Sequence, residues 1–295
     1  SVRLIQVQHH HAHLAACMAD NDLHGEVIGL CLDGTGLGTD GTIWGGEVLV
    51  GGRSAFRRAA RLKPFRLPGG DAAVKQPWRT ALGLLLEMVG ENEAVELVSG
   101  LPGVDSAKAR AVARAALSGV NAPWTSSLGR LFDAASALLS ICTQTDFDAQ
   151  AAIELEAAAI VVGDSAVPAW ELPLIGGTDP MELDFSVLVR SLLEEQGREE
   201  QGRGLPVHIL AMAFHQGLIR GLTNACVAVR DAGGPDRVVF SGGCFMNRLL
   251  DEGLESALTQ AGFRVYVHHQ VPANDGGLSL GQAAVATAIM AESKT

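Results

Sequence analysis

The chain has 295 residues, 47% hydrophobic and 19% charged, which excludes a disordered polymer and leaves room for one large domain or two subdomains. A formal net charge of −11 argues against a nucleic-acid-binding surface, because neutralising phosphates takes clustered Lys and Arg. No apolar run is long enough to span a bilayer, no signal-peptide pattern opens the chain, and five cysteines without a CxxC pair suit free thiols in a reducing compartment. The expectation is a cytoplasmic protein that engages neither nucleic acid nor membrane.

The first predicted element is a helix. Four of the nine histidines (His9, His10, His11 and His13) lead into the apolar, helix-favouring run Leu14 to Ala19. On a helix His9 and His13 share one face a turn apart, while His10 and His11 point elsewhere. Two imidazoles so placed can close on one cation, but they do not make a complete site. A solvated histidine cluster is the plainer alternative.

Glu26 to Leu32 then reads as a buried strand running into a loop with four glycines, Asp33 to Gly41. Asp40-Gly41 is a favoured hairpin pair, so Ile43 to Val50 returns as a second strand, and Ser54 to Leu62 offers a third. Helices are expected at Pro77 to Val89, Ser106 to Leu117, Thr125 to Ile141 and Asp148 to Val162. Gly163 to Asp179 reads as an exposed connection with a short strand near Trp170 to Leu174, and Glu194 to Gly204 as a solvated loop between helices. The last third alternates: helix Pro206 to Ala232, strand Arg237 to Ser241, a Gly-rich turn, helix Asn247 to Ala261, strand Arg264 to His268, and helix Leu278 to Glu292. That order describes a parallel α/β layer with ligand groups at the C-terminal ends of its strands.

Several side chains have two readings. Gly242 and Gly243, between a strand and a helix start, serve either a tight turn or an anion held on free backbone amides. Asn247 is a helix cap or a ligand donor, and Asp33-Gly34-Thr35-Gly36 divides the same way. Asp275, ahead of two glycines, is a cap; set opposite His9 and His13 it would complete a His-His-carboxylate face suited to iron or zinc, with open positions for substrate oxygens. His215 reads as a packed core histidine, His24 and His208 as loop residues, His268 and His269 as either, and Cys244 as packing rather than nucleophile. No G-x-x-x-x-G-K-[ST] loop occurs.

Gln8-His9-His10-His11-Ala12-His13, Leu32-Asp33-Gly34-Thr35-Gly36, Ser126 to Ala134, Phe147 to Glu156, Ser241 to Asn247 and Asn274-Asp275-Gly276-Gly277 occur in this order. Together they resemble the C-terminal carbamoyltransferase domain of the HypF family of NiFe-hydrogenase maturation factors. More widely they resemble the TsaD-type threonylcarbamoyl transferases and the O-carbamoyltransferases. The resemblance implies an α/β fold of the actin/sugar-kinase-like (ASKHA) two-lobe kind, with TsaD-like and inserted helical segments. Residues 1–62 would form part of the first actin-like lobe, with the histidine helix and a β-meander. Residues 63–204 would form a helical segment with a nucleotide-facing helix, and 205–295 a second α/β lobe with the phosphate turn and a metal-binding aspartate.

By the same resemblance His9, His13 and Asp275 hold a divalent iron or zinc ion and are the catalytic residues. Asp33, Gly34, Thr35 and Gly36 face the phosphate of a carbamoyl-adenylate, Gly129 and Asp133 lie along the nucleotide, and Gly242, Gly243 and Asn247 flank its other side. The implied reaction passes a carbamoyl group from carbamoyl-adenylate, made from ATP by a YrdC-like domain, to the C-terminal cysteine of a HypE-like acceptor protein. That YrdC-like domain lies upstream in the family and matches no motif here. Carbamoylation of another acceptor on the same fold, a non-catalytic nucleotide-binding scaffold and a metal-dependent hydrolase are the rival readings.

Overall fold

The computed structural model describes residues 4–163, 165–199 and 204–293. In chain order the elements begin with α1 (His9–Asp20), β1 (Val27–Leu37), β2 (Ile43–Gly51), β3 (Phe56–Leu62), β4 (Phe65–Arg66), α2 (Asp71–Lys75), α3 (Pro77–Val89), α4 (Glu91–Ser99) and α5 (Ser106–Leu117). They continue with β5 (Trp124–Thr125), α6 (Leu128–Leu138), α7 (Gln150–Ile160), β6 (Leu174–Ile175), β7 (Met181–Leu183), α8 (Ser186–Glu199) and α9 (Val207–Asp231). The chain closes with β8 (Arg237–Ser241), α10 (Arg248–Gln260), β9 (Arg264–Tyr266) and α11 (Leu278–Glu292). Two compact units result: Ser1–Leu62 with Leu174–Leu183 and Gly221–Thr295, and Lys63–Pro173 with Asp184–Arg220. None of the described helices is long and apolar enough to cross a membrane.

The first unit is built on a mixed sheet in the order β6-β7-β3-β2-β1-β8-β9. β1, β2 and β3 form the antiparallel meander anticipated from the Asp40-Gly41 turn, while β8 lies parallel to β1, and β9 parallel to β8. Helix α1 is buried on every side from His10 to Met18, which is why it carries no polar stripe. Leu14, Cys17 and Met18 join Val27, Cys31, Trp44, Leu49 and Val239 in one core against the sheet. On its other side α1 meets α11 at Gly281, where a Cβ would lie 1.8 Å from the Ala12 carbonyl oxygen.

The second unit is helical, with the β4–β5 ribbon as its strand pair. Its α3 lies against α6 and α4 against α5, and the core includes edge-to-face rings of Phe132 and Phe214 at 5.5 Å and of Phe65 and Phe185 at 5.5 Å. His215 is fully buried and shares a 2.7 Å hydrogen bond with the Ala211 carbonyl; burial lowers its pKa to about 4, so it is the neutral core histidine expected.

Four readings need correction. The strand does not stop at Leu32: β1 runs on to Leu37, with a register shift between Leu32 and Gly36, because the glycine-rich segment still pairs with β2 through Gly36–Trp44 and Leu37–Ile43. Glu194 to Glu199 is helix rather than loop, since Leu188, Val189 and Leu192 bury α8 and the Gln196 amide donates to the Leu138 carbonyl; residues 200–203 lie outside the described residues. His208 sits in α9, not in a loop. The strand sought around Trp170 forms only at Leu174–Ile175, because Trp170 and Leu172 are themselves buried and just those two residues pair with β7.

Candidate functional site

The start of α1 is fixed by its cap: the Gln8 side chain accepts from the His11 N–H at 2.8 Å. That sets His9 in the first turn and His13 one turn later, with ring centroids 4.9 Å apart. Gly36 in β1 lies against the rings of His9 and His10. A Cβ there would come within 2.5 Å of His10 Cε1 and 2.6 Å of His9 Cδ2, so this glycine makes room for the two histidines.

Asp33 enters from the register shift in β1. Its Oδ2 is 3.1 Å from His9 Nε2 and 3.3 Å from His13 Nε2, and its Oδ1 accepts from the N–H groups of Gly34 (2.8 Å) and Gly243 (3.2 Å). Asp275 arrives at the head of the short 3₁₀ turn before α11, behind Asn274, whose side chain accepts from the Gly276 N–H at 3.0 Å. Its Oδ1 is 3.3 Å from His13 Nε2 and 3.6 Å from His9 Nε2. The histidine pair and Asp275 thus meet, and Asp33, which the sequence reading set against phosphate, stands with them. One ligand atom from each of the four lies within 4.8 Å of every other.

These residues fit a divalent ion. A tetrahedron with bonds of about 2.1 Å has edges of about 3.4 Å; the four nitrogen–oxygen separations run from 3.1 to 3.6 Å. The His13 ring is buried, and its Nε2 makes no well-formed hydrogen bond while facing two carboxylate oxygens. The Asp275 side chain is 67% exposed against 12% for Asp33 and 1% for His13, so the centre is walled on one side and open on the other. Two imidazoles and two carboxylates suit zinc or iron.

Electrostatics agree with that arrangement. Burial works against ionisation of Asp33, but the adjacent His13 ring and the hydrogen bond with His9 outweigh it and hold the carboxyl well below the usual range. The hydrogen bond to Asp33 raises the pKa of His9 against the opposing effect of burial. His10, buried between its neighbours, is pushed down to about 3 and stays neutral.

In the turn after β8 the amides of Gly242 and Gly243 are already paired, as the tight-turn reading has it. Gly242 N–H donates to the Ala273 carbonyl at 2.8 Å, and Gly243 N–H to Asp33 Oδ1. What this turn needs from glycine is close approach: Gly242 has φ +112°, and a Cβ on it would lie 2.1 Å from the Leu32 carbonyl oxygen. Asn247 caps α10, accepting from the Leu250 N–H at 3.0 Å. Thr35 is exposed and Gly34 half-buried beside Asp33.

Gly129 and Asp133 belong to the second unit, on α6, whose cap Ser127 accepts from the Arg130 N–H at 3.1 Å. Asp133 is buried 2.6 Å from an Arg130 guanidinium nitrogen, and burial, opposed by that charge, raises its pKa to about 6. It lines a pocket of about 280 Å³ with Asp71, Lys75, Arg130, Thr145 and Asp148. Lys75 and Arg130 were not singled out from sequence, where single basic residues carry no signal.

Comparison with known proteins agrees with this architecture. The family described as carbamoyltransferase, Kae1-like domain, second subdomain, matches residues 29–282. Carbamoyltransferase HypF of Rhizobium leguminosarum bv. viciae is 40% identical over 288 residues, covering 97% of this chain and 35% of its own length; that of Rhodobacter capsulatus is 40% identical over 292 residues, covering 97% and 36%. The chain therefore spans about a third of the length of these curated relatives, and 71% of a HypF homolog from Cupriavidus necator, to which it is 38% identical. The crystal structure of full-length HypF in the phosphate- and nucleotide-bound form superposes with a TM-score of 0.87 at 36% identity, covering 98% of this chain and 44% of that one. T. kodakarensis HypF gives 0.84 at 30% identity, covering 96% and 36%. With both the family match and the fold in hand, the chain belongs to the Kae1-like carbamoyltransferase domain family of HypF, an α/β fold of the actin-like, TsaD-like kind.

Proposed function

We propose that this chain transfers a carbamoyl group from carbamoyl-adenylate to the C-terminal cysteine thiolate of a HypE-like acceptor, on the way to the cyanide ligands of a NiFe-hydrogenase. The observation that carries the reading is the open centre of His9, His13, Asp33 and Asp275 in a chain of a carbamoyltransferase family. The nucleotide-bound state of a 36% identical HypF supports a nucleotide substrate.

His9, His13, Asp33 and Asp275 would hold one divalent ion, which when bound supplies a Lewis acid for a phosphoryl or carbamoyl oxygen. Asp33 is tied to the Gly243 amide, so the ion site and the turn after β8 keep a fixed spacing. The adenylate's phosphate would approach beside Asp33, Gly34 and the exposed Thr35, with Gly242 and Gly243 forming the turn after β8 next to it. Asn247 would hold the start of α10 in place behind the phosphate. In the reaction the acceptor sulfur attacks the carbamoyl carbon, a carbon–sulfur bond forms, and the bond from that carbon to the phosphate oxygen breaks. AMP leaves with the electron pair, and the thiol proton has already gone to solvent. The acceptor supplies the nucleophile, which fits the buried, unreactive thiols Cys17 and Cys226, both pushed up to about 12 by burial.

The test is mass spectrometry of a HypE-like C-terminal peptide incubated with the zinc- or iron-loaded chain and preformed carbamoyl-adenylate. A gain of one carbamoyl group on the cysteine is expected. An unmodified peptide beside a chain that binds both metal and adenylate overturns transfer and leaves a scaffold.

A further inference from the structure

His13 reaches the candidate centre with one ring nitrogen, and its other nitrogen is held by groups that no part of the proposed reaction uses. We propose that Ser241 and His268 are positioning residues: with Asp20 they fix the tautomer of His13 that leaves Nε2 free for a cation. The inference rests on the metal reading above and concerns what orients its most buried ligand.

Ser241 ends β8 and is fully buried. Its Oγ lies 3.1 Å from His13 Nδ1, 2.9 Å from His268 Nε2 and 3.3 Å from the Ala273 carbonyl. His268 follows β9 with its side chain 4% exposed, and its Nδ1 is 3.8 Å from Asp20 Oδ2. Among the described residues that buried Nδ1 has no hydrogen-bond partner, so the carboxylate is the charge that biases it. Asp20 is the last residue of α1. It accepts from the backbone N–H groups of His269 (2.6 Å) and Gln270 (3.1 Å), which keep it ionised and tie the segment carrying His268 to the end of the helix.

The direction of the chain follows from counting protons. A carboxylate beside His268 Nδ1 favours the proton on that nitrogen, leaving a lone pair on Nε2. The Ser241 hydroxyl has one proton, and its shorter contact is to that lone pair rather than to the Ala273 carbonyl. With its proton committed, Oγ can only accept from His13, which must carry its own proton on Nδ1. His13 Nε2 is then a lone pair aimed at the space beside Asp33 and Asp275. The opposite direction would set the His268 Nδ1 lone pair against the Asp20 carboxylate, whereas the His13 Nε2 lone pair beside Asp33 and Asp275 is the one a bound cation takes up. Both ends of this chain, His13 and Asp20, stand on α1 about two turns apart, so the helix that carries the ligand also carries the charge that orients it. Burial lowers the pKa of His268, which keeps its ring neutral and able to accept.

The experiment uses the full chain labelled with ¹⁵N, read at pH 8 with and without Zn²⁺. His268 is expected as the Nδ1–H tautomer in both states, against the Nε2–H form that free imidazole prefers. The His13 Nδ1–H should be protected from exchange in the zinc-loaded chain. A His268 ring protonated on Nε2 overturns the proposal without any substitution. Ser241→Ala should weaken Zn²⁺ binding, measured by competition with a chromophoric chelator, by about 10–100-fold, the scale of losses for groups that orient a ligand. His268→Gln, which keeps an acceptor for the serine, should stay within a few-fold of the original chain. Wild-type affinity in a folded Ser241→Ala protein overturns the proposal. An unsubstituted chain that binds no zinc would sink the metal reading instead, and the His268 tautomer would still decide the hydrogen-bond chain.

Discussion

Two carboxylates show how far single residues could be read. Asp275 was visible because it precedes two glycines at a helix start. Asp33 was visible as a residue but not in its place beside His9 and His13, because that place depends on a register shift inside β1 which no sequence period marks. Loss of either should be severe. Asp33→Ala and His13→Ala are expected to lower Zn²⁺ affinity by more than the roughly 100-fold typical of groups behind the ligands, measured by elemental analysis and chelator competition. A variant of either that retains full affinity removes that residue from the centre. Asp133 gives a prediction of the opposite electrostatic kind. Its pKa is raised to about 6 chiefly by burial, with Arg130 opposing, while Lys75, Asp71 and Asp148 face the same pocket. The folded chain therefore binds this proton more tightly than the unfolded one, so the contribution of Asp133 to stability is fully present below about pH 4 and is lost as pH rises through about 6, by about 3 kcal/mol at most. Asp33, held well below the usual range, contributes its change at lower pH and stays outside that window. Compared with the original chain, Asp133→Asn should lower the urea-unfolding free energy at pH 4 relative to that at pH 7 by up to about 3 kcal/mol; an unchanged difference would mean that Asp133 ionises normally.

At the scale of elements, strands bounded by turn residues and helices with marked caps were legible: Asp40-Gly41 and Asn247 stand where the chain turns and where a helix starts. What was not legible are elements whose limits come from contacts distant in sequence. The end of α8 is held by Gln196 reaching Leu138, and the short α2 and α4 have no long apolar period of their own. The contact of α1 with α11 belongs to that second class. Gly281 looks like an ordinary weak spot in a helix until its Cβ position is seen 1.8 Å from the Ala12 carbonyl. Gly281→Ala should push the helices apart and destabilise the chain by about 1–3 kcal/mol, despite alanine's better helix propensity. It should also weaken Zn²⁺ binding, since α1 carries both histidines and α11 follows Asp275. Urea unfolding and zinc titration of one preparation check both effects. A stabilised variant would mean that the two helices have slack at this point.

For the molecule as a whole, the division of labour can be argued from what the chain holds. Every motif matched here belongs to the transfer part of the family, and the family match runs over residues 29–282. The sequence has no G-x-x-x-x-G-K-[ST] loop, and the Gly242 and Gly243 amides after β8 are spent on Ala273 and Asp33. The chain is therefore expected to use carbamoyl-adenylate but not to make it from carbamoyl phosphate and ATP. Mixing it with those two compounds and the acceptor peptide should give no thiocarbamate until a separate adenylate-forming YrdC-like domain, or preformed adenylate, is added. Asp275→Ala should then cost transfer at least 100-fold while the melting temperature of the metal-free chain stays close to the original, because its side chain is two-thirds exposed and bears little packing. Transfer should also fall as pH drops below the acceptor thiol's pKa of roughly 8.5, since the thiolate is the attacking form. Thiocarbamate formed without the second domain would refute the division. An Asp275→Ala chain that transfers at the original rate would take the metal out of the chemistry and leave the nucleotide-facing residues to carry it.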